Sequence, residues 1–352
     1  MSAKRTLSLF LCLIFTATFL FGCTPKGEKE PKTKAESIYE YFDTVSVIFS
    51  YRGDTESEFK ANCDAVRELL KEYHQLFDIY YEYASVNNIK TVNKNAGISP
   101  VEVDGKLIDF LLYCKELYTV TGGETNVAMG AVLKLWHDAR EKAESSPQNA
   151  FVPSEQQLSE AALHTDIEKL IIDKEAKTVY LSDPEMSLDV GAIAKGYAVE
   201  KAAELLISRG VTSYVLNFGG NIRAIGTKVS GKGWVTGITN PDKTSDESFV
   251  CKVDLKDVSL VTSGDYERFY TVGEERYHHI IDRDTLMPSK HFSSVSVFTK
   301  NSALADALST ALFCMSYEEG LALITSIGGV NAVWVHPDGT VKMTEGVTVV
   351  KD

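Results

Sequence analysis

Near the carboxyl end, Ala305-Asp306-Ala307-Leu308-Ser309-Thr310 sits in a stretch otherwise built of Ala and Leu. At helical spacing Asp306 and Thr310 are one turn apart, so a carboxylate and a hydroxyl leave the same face and can meet at one point. Joined by main-chain carbonyls, such oxygens suit Mg²⁺, which leaves room for waters and substrate phosphates. The plainer alternative turns Asp306 to solvent and bonds Thr310 to its own backbone.

A second candidate is Asp189-Val190-Gly191-Ala192-Ile193-Ala194-Lys195-Gly196, where a short apolar run turns through glycine into a helical pattern ending at Ser208. A helix amino-terminus offers unpaired N–H groups and partial positive charge, and Lys195 adds a full charge, so the corner suits a phosphate. Asp189 could hold a ribose or ring donor. The glycine spacing is not that of a P-loop, and a tight junction with a surface lysine is the rival reading. Tyr277 to Asp282 reads as a strand that sends His278 and His279 to opposite faces, so one of them can line a pocket and accept a hydroxyl proton. Two turns, Asn217-Phe218-Gly219-Gly220-Asn221 and Thr262 to Arg268, allow close backbone approach to a flat ligand, although ordinary turns use glycine equally often.

The elements that must position these groups fall into two textures. Phe42 to Tyr51 reads as a strand, and amphipathic helical patterns follow over Thr55 to Phe77, Asp104 to Thr121 with Asp104 as cap, and Ala128 to Glu144. Ser145 to Pro153 reads as loop. From Ile171 short β-branched runs take over: Thr178–Leu181, Ser187–Val190, Tyr214–Phe218, Trp234–Thr239, Val258–Val261, Tyr277–Ile281 and Ser293–Phe298. Helices Ala192–Ser208 and Ser302–Met315 interrupt them, and Asp338-Gly339 signals a hairpin. No internal repeat or second linker is seen. The expected fold is α+β, a single catalytic unit of mixed or antiparallel sheet with packed helices over residues 38–352, in one or two lobes.

The composition of the 352 residues is ordinary for a globular chain, 44% hydrophobic and 24% charged, with net charge −13. Such an acidic chain repels nucleic acid and anionic membrane surfaces, which sets basic-patch functions aside. Lys4 and Arg5 precede an apolar run, Thr6 to Phe21, too short for a comfortable span and matching a secretory signal over residues 1–22. The run ends Leu20-Phe21-Gly22-Cys23, which resembles a bacterial lipobox and makes Cys23 the candidate lipidation site. Thr24 to Ser37 is polar and reads as a solvated tether, giving a lipidated cysteine and flexible segment over 23–37. The folded part is therefore expected outside the cytoplasm, attached to the membrane through lipid only. Of the remaining cysteines, Cys63, Cys114, Cys251 and Cys314 form no CxxC, and buried thiols and disulfides are equally open.

Taken in order, DVGAIAKGYAVE at 189–200, NFGGNI at 217–222, SGDYER at 263–268, HIID at 279–282 and ADALST at 305–310 resemble the motifs of the ApbE family, the FAD:protein FMN transferases, several of which are bacterial lipoproteins. The resemblance runs from about Phe42 to Val349. It implies Mg²⁺ held by Asp306 and Thr310 with backbone oxygens of Ala192 and Ser309. It implies FAD contacts at Asp189 and Lys195 and on the glycine turns through Gly219, Gly220, Ser263, Asp265 and Arg268, with His279 and Ile280 beside the diphosphate. Tyr80 falls where the family places a ring on the flavin or adenine, with Tyr81 and Tyr83 as rival alignments, and Thr125 and Asn126 fall in the flavin-side pocket. The implied reaction is Mg²⁺-dependent transfer of FMN from FAD to a Thr or Ser hydroxyl of a membrane-associated acceptor flavoprotein bearing a D-x-x-[ST]-[GS]-A-[ST] motif, with release of AMP. Hydrolysis of FAD to FMN and AMP, or flavin binding without turnover, are the alternatives. Some positions depart from the family pattern: Arg283 and Leu286 stand for its proline and glycine after HIID, so that loop is expected to turn differently, and Thr125-Asn126-Val127-Ala128 replaces F-D-x-T.

Overall fold

The computed structural model describes residues 32–350. The signal segment and Cys23 lie outside them. Along the chain come β1 (Lys34–Ile38), β2 (Ser46–Ser50), α1 (Glu56–Phe77), α2 (Ile89–Lys94), β3 (Val101–Glu102), α3 (Gly105–Val120), α4 (Gly130–Ser145) and α5 (Glu155–Ala162). There follow β4 (Leu170–Asp173), β5 (Thr178–Leu181), α6 (Gly191–Ser208), β6 (Ser213–Phe218), β7 (Asn221–Gly226), β8 (Trp234–Thr239) and β9 (Phe249–Leu255). The last elements are β10 (Ser259–Gly264), β11 (Phe269–Val272), β12 (Glu275–His278), β13 (Ser294–Thr299), α7 (Ser302–Cys314), α8 (Tyr317–Ile327), β14 (Asn331–Val335) and β15 (Val341–Met343).

Eight strands form one sheet in the order β1-β2-β6-β7-β10-β13-β14-β15, and every neighbouring pair is antiparallel. Strand alternation assigns each face its partner. Leu216, Val261, Val297 and Trp334 turn toward α6 and α7, whereas Val215, Leu260, Phe298 and Val333 turn toward the β8–β9 ribbon, where Trp234 and Val253 cover them. The helix-rich first half packs around α6, and α4, α5 and the β11–β12 ribbon make a smaller apolar cluster beside it.

Local chemistry fixes the ends. Thr55 and Glu58 form a capping box at the start of α1, Asp104 caps α3, and Ser316 and Glu319 box the start of α8. Gly219 and Gly220 both take positive φ, 58° and 90°, the requirement of the two-residue turn joining β6 to β7.

Several expectations need correction. Ser187–Val190 is not a strand, because its main chain bonds to the turn before α4, at Val127 and Gly130, and to no strand; it leads straight into α6. The stretch read as tether already contains β1, whose polar Lys34-Ala35-Glu36-Ser37 needs only main-chain pairing with β2 at the sheet edge. The strand carrying Tyr277 ends at His278, so His279 begins a loop. Cys63, Cys114 and Cys314 are buried free thiols and Cys251 is a half-buried one. No helix among the described residues is long and apolar enough to cross a membrane.

Candidate active site

The two sequence segments singled out above meet where α6 crosses α7. The Gly196 N–H donates to Asp306 Oδ2 at 2.7 Å. A Cβ on residue 196 would stand 2.4 Å from the Asp306 Cβ and 2.5 Å from the Ser302 carbonyl oxygen, so only glycine permits the crossing. In a regular helix that N–H would serve the Ala192 carbonyl, whose hydrogen bond is therefore at most shared.

Asp306 is buried, not turned to solvent. Burial raises its pKa, while Lys195, the Gly196 N–H and Asn221 favour the charged form. The Asn221 amide nitrogen is itself buried with no hydrogen-bond partner at normal distance. Ser309 donates its hydroxyl to the Asp306 carbonyl at 2.9 Å and accepts from Ser263 at 2.8 Å. Thr310 reaches the same carbonyl at 3.4 Å, a long back-bond that leaves its oxygen available. Among the described residues no cluster of three or more His, Cys, Asp or Glu occurs. One buried carboxylate surrounded by hydroxyls and carbonyls, with nearby positive charge only from Lys195, is an oxygen donor set that fits a hard cation sharing substrate phosphates.

Beside this crossing lies a shallow cleft lined by Leu133, Trp136, His137 and Arg140 of α4, by Arg268 and by His279. His278 and His279 divide the roles between them. His278 donates from Nε2 to the Ser289 carbonyl at 2.8 Å and accepts the Ile280 N–H at Nδ1, so both nitrogens are spent on structure. His279 Nδ1 lies 3.1 Å from the Arg268 carbonyl, which can only accept; the proton therefore sits on Nδ1 and Nε2 keeps its lone pair. Burial, then Arg268, His278 and Lys195, push the His279 pKa down to about 3, so the ring is neutral at pH 7. The Lys195 ammonium and the Arg268 guanidinium have no hydrogen bond or ion pair among the described residues. With Arg140 they set a positive cleft in an acidic chain, suited to a diphosphate.

The residues 43–334 match the family model described as the ApbE family. This chain belongs to the ApbE family. It is 35% identical to the FAD:protein FMN transferase of Treponema pallidum (strain Nichols), over 93% of this chain and 90% of that one, and 28% identical to that of Haemophilus influenzae, over 84% of each. The crystal structure of the ApbE protein from Thermotoga maritima superposes with a TM-score of 0.77 at 26% identity, covering 89% of this chain and 97% of that one. The flavin transferase ApbE from Vibrio cholerae gives 0.73 at 25% identity, covering 90% and 98%.

With the ApbE fold in view, the remaining expected positions sort by what their groups already hold. Tyr80 stands against the cleft residue His137, its hydroxyl 3.3 Å from Nδ1, whereas Tyr83 donates to Asp78 at 2.6 Å and Tyr81 is largely exposed. Asp189 Oδ1 accepts the Gly191 N–H at 2.9 Å, and Oδ2 stands 3.7 Å from His137 Nε2. Four expected contacts are spent elsewhere. Thr125 is buried and donates to the Ala307 carbonyl at 2.8 Å, pinning α7. Asn126 caps the turn before α4 and donates to the Thr165 carbonyl. Asp265 pairs with Arg276 at 3.0 Å. Ile280 is a core side chain whose N–H and carbonyl serve His278 and Ser289. Gly219 is packed on Thr44 and Gly220 turns the hairpin that delivers Asn221 toward Asp306. The loop after His279 takes a left-handed turn at Leu286, φ 60°, whose carbonyl accepts from Trp136 Nε1, while Arg283 pairs with Glu124. Sequence reasoning missed His137 and Arg140; their spacing of one turn on the Ala128–Glu144 pattern was the available signal.

Proposed function

We propose that this protein transfers FMN from FAD to a Thr or Ser hydroxyl of an acceptor flavoprotein, releasing AMP, with Mg²⁺ as cofactor. The contact that carries the reading is Gly196 N–H to Asp306, which joins the anion-binding start of α6 to the oxygen donors of α7. Asp306 and Thr310, with main-chain oxygens of Ala192 and Ser309, would hold the cation, which supplies charge neutralisation at the diphosphate. The family's named activity supports the same reading.

The chain's own groups then have defined tasks. Lys195, Arg268 and the α6 amino-terminus bind and orient the diphosphate. The acceptor oxygen forms a bond to the FMN-side phosphorus, and the bond from that phosphorus to the bridging oxygen breaks with AMP departing. The hydroxyl proton goes to His279 Nε2, which the Arg268 carbonyl holds in the accepting tautomer. Positioning and charge complementarity carry most of the acceleration in such displacements. Incubating the protein with FAD, Mg²⁺ and an acceptor carrying the D-x-x-[ST]-[GS]-A-[ST] motif should add an FMN-phosphoryl mass to the acceptor and yield AMP. Absence of that mass, or its persistence in Asp306→Ala, overturns the proposal.

The amino-terminal pattern supports placement at the outer face of the membrane through lipid on Cys23. Labelled palmitate should enter the parent and not Cys23→Ser.

A further inference from the structure

His137 takes no part in the transfer step, yet it lines the cleft. It projects from α4, a helix fixed next door by Trp136, which is buried and donates Nε1 to the Leu286 carbonyl at 3.0 Å. On one side its Nδ1 lies 3.3 Å from the Tyr80 hydroxyl, with the two ring centroids 6.4 Å apart. On the other, its Nε2 lies 3.7 Å from Asp189 Oδ2, the oxygen left over once Oδ1 has taken the Gly191 N–H. Tyr80 itself rides on the loop after α1. Its backbone is held by Asp78, which accepts the N–H groups of Tyr80 and Tyr81. Its ring, half exposed, has His137 as its sole hydrogen-bond partner among the described residues.

We propose that His137 is a positioning residue of the flavin-nucleotide site, holding the hydroxyl of Tyr80, with the Asp189 carboxylate facing its other nitrogen, so that this wall is set before FAD enters. This rests on the flavin-transfer reading given above. The proton assignment follows from the geometry. A neutral imidazole has one acceptor and one donor: Nδ1 accepts the Tyr80 O–H and Nε2–H faces the Asp189 carboxylate. Burial, with Arg140 and Arg268, favours that neutral ring, against the pull of Asp189 and Asp138. A tyrosine freed from this link must be ordered when ligand binds, an entropic cost that corresponds to roughly three- to tenfold in affinity.

The test is titration of FAD into the Mg²⁺-containing full chain, followed by flavin fluorescence, for the parent, His137→Ala, His137→Asn, Tyr80→Phe and the double variant His137→Ala with Tyr80→Phe. His137→Ala and Tyr80→Phe should each weaken FAD binding roughly three- to tenfold. The double variant should be no worse than the weaker-binding single one, because both substitutions remove the same link. His137→Asn, whose amide oxygen can still accept from Tyr80, should recover most of the affinity, and KM for FAD should rise more than kcat falls. Additive losses, no recovery in His137→Asn, or unchanged affinity in His137→Ala would overturn the inference. If His137→Ala fails to fold, the Asn and Phe variants decide it by the same outcomes. A parent that does not bind FAD at all overturns the flavin reading itself, and this inference with it.

Discussion

Gly196→Ala probes the crossing on which the site depends. In an ordinary exposed helix the substitution stabilises by about 1 kcal/mol, because alanine loses less backbone freedom. Here the new Cβ would meet the Asp306 Cβ at 2.4 Å and the Ser302 carbonyl oxygen at 2.5 Å, both backed by helix backbone that cannot swing aside. Carbon atoms in contact prefer roughly 3.5–4.0 Å, so α6 and α7 must part by about 1 Å. Overpacking of that size costs about 1–3 kcal/mol and outweighs the propensity gain. The expected net effect is a loss of up to about 2 kcal/mol in denaturant unfolding. Displacing the Asp306 carboxylate by about 1 Å should also lower the FMN-transfer rate on the order of a hundredfold. An alanine variant at least as stable as the parent and transferring FMN within twofold of its rate would refute the argument that this contact sets the site.

Other outcomes follow from the same geometry. Asp306→Asn removes a buried charge while keeping an acceptor for the Gly196 N–H; it should remain folded, lack the Mg²⁺-dependent rise in thermal midpoint expected of the parent, and lose transfer activity. His279→Ala should lower kcat about 10²- to 10⁴-fold with little change in stability, whereas His278→Ala should lower stability by about 1–3 kcal/mol, since it strands the Ser289 carbonyl and Ile280 N–H; paired unfolding and rate measurements separate the two. Thr125→Val should cost about 1 kcal/mol by removing its hydroxyl's bond to the Ala307 carbonyl, without the affinity loss that a direct flavin contact would produce in an FAD titration. The folded-state pKa values of His137, His278 and His279 lie below the unfolded value, so the unfolded chain binds more protons and stability should fall as pH drops below about 6.5. The slope between pH 6.5 and 4.5 should be shallower in His279→Gln, and an unchanged slope counts against the burial of that ring.

What could be read from the sequence was whatever is encoded locally. The spacing of Asp306 and Thr310, the glycine corner before α6 and the paired glycines before Asn221 each state their conformation within a few residues, and each stands where expected. What escaped was what depends on a distant neighbour. Ser187–Val190 has strand composition and no partner strand, whereas Lys34–Ile38 has tether composition and a partner in β2. Thr125 and Asn126 lie in the right region, but their groups are claimed by Ala307 and Thr165, residues no local pattern connects to them. His137 gave no signal alone because its meaning comes from Tyr80 and Asp189, brought to it from either side in sequence.

The intimacy of α6 and α7 has a bearing on how the enzyme accommodates different proteins. Two helices separated by no more than a glycine cannot breathe without tearing a carboxylate from its N–H, so the phosphate end of the cleft is a fixed anvil. Any plasticity toward an acceptor protein must therefore reside outside that junction.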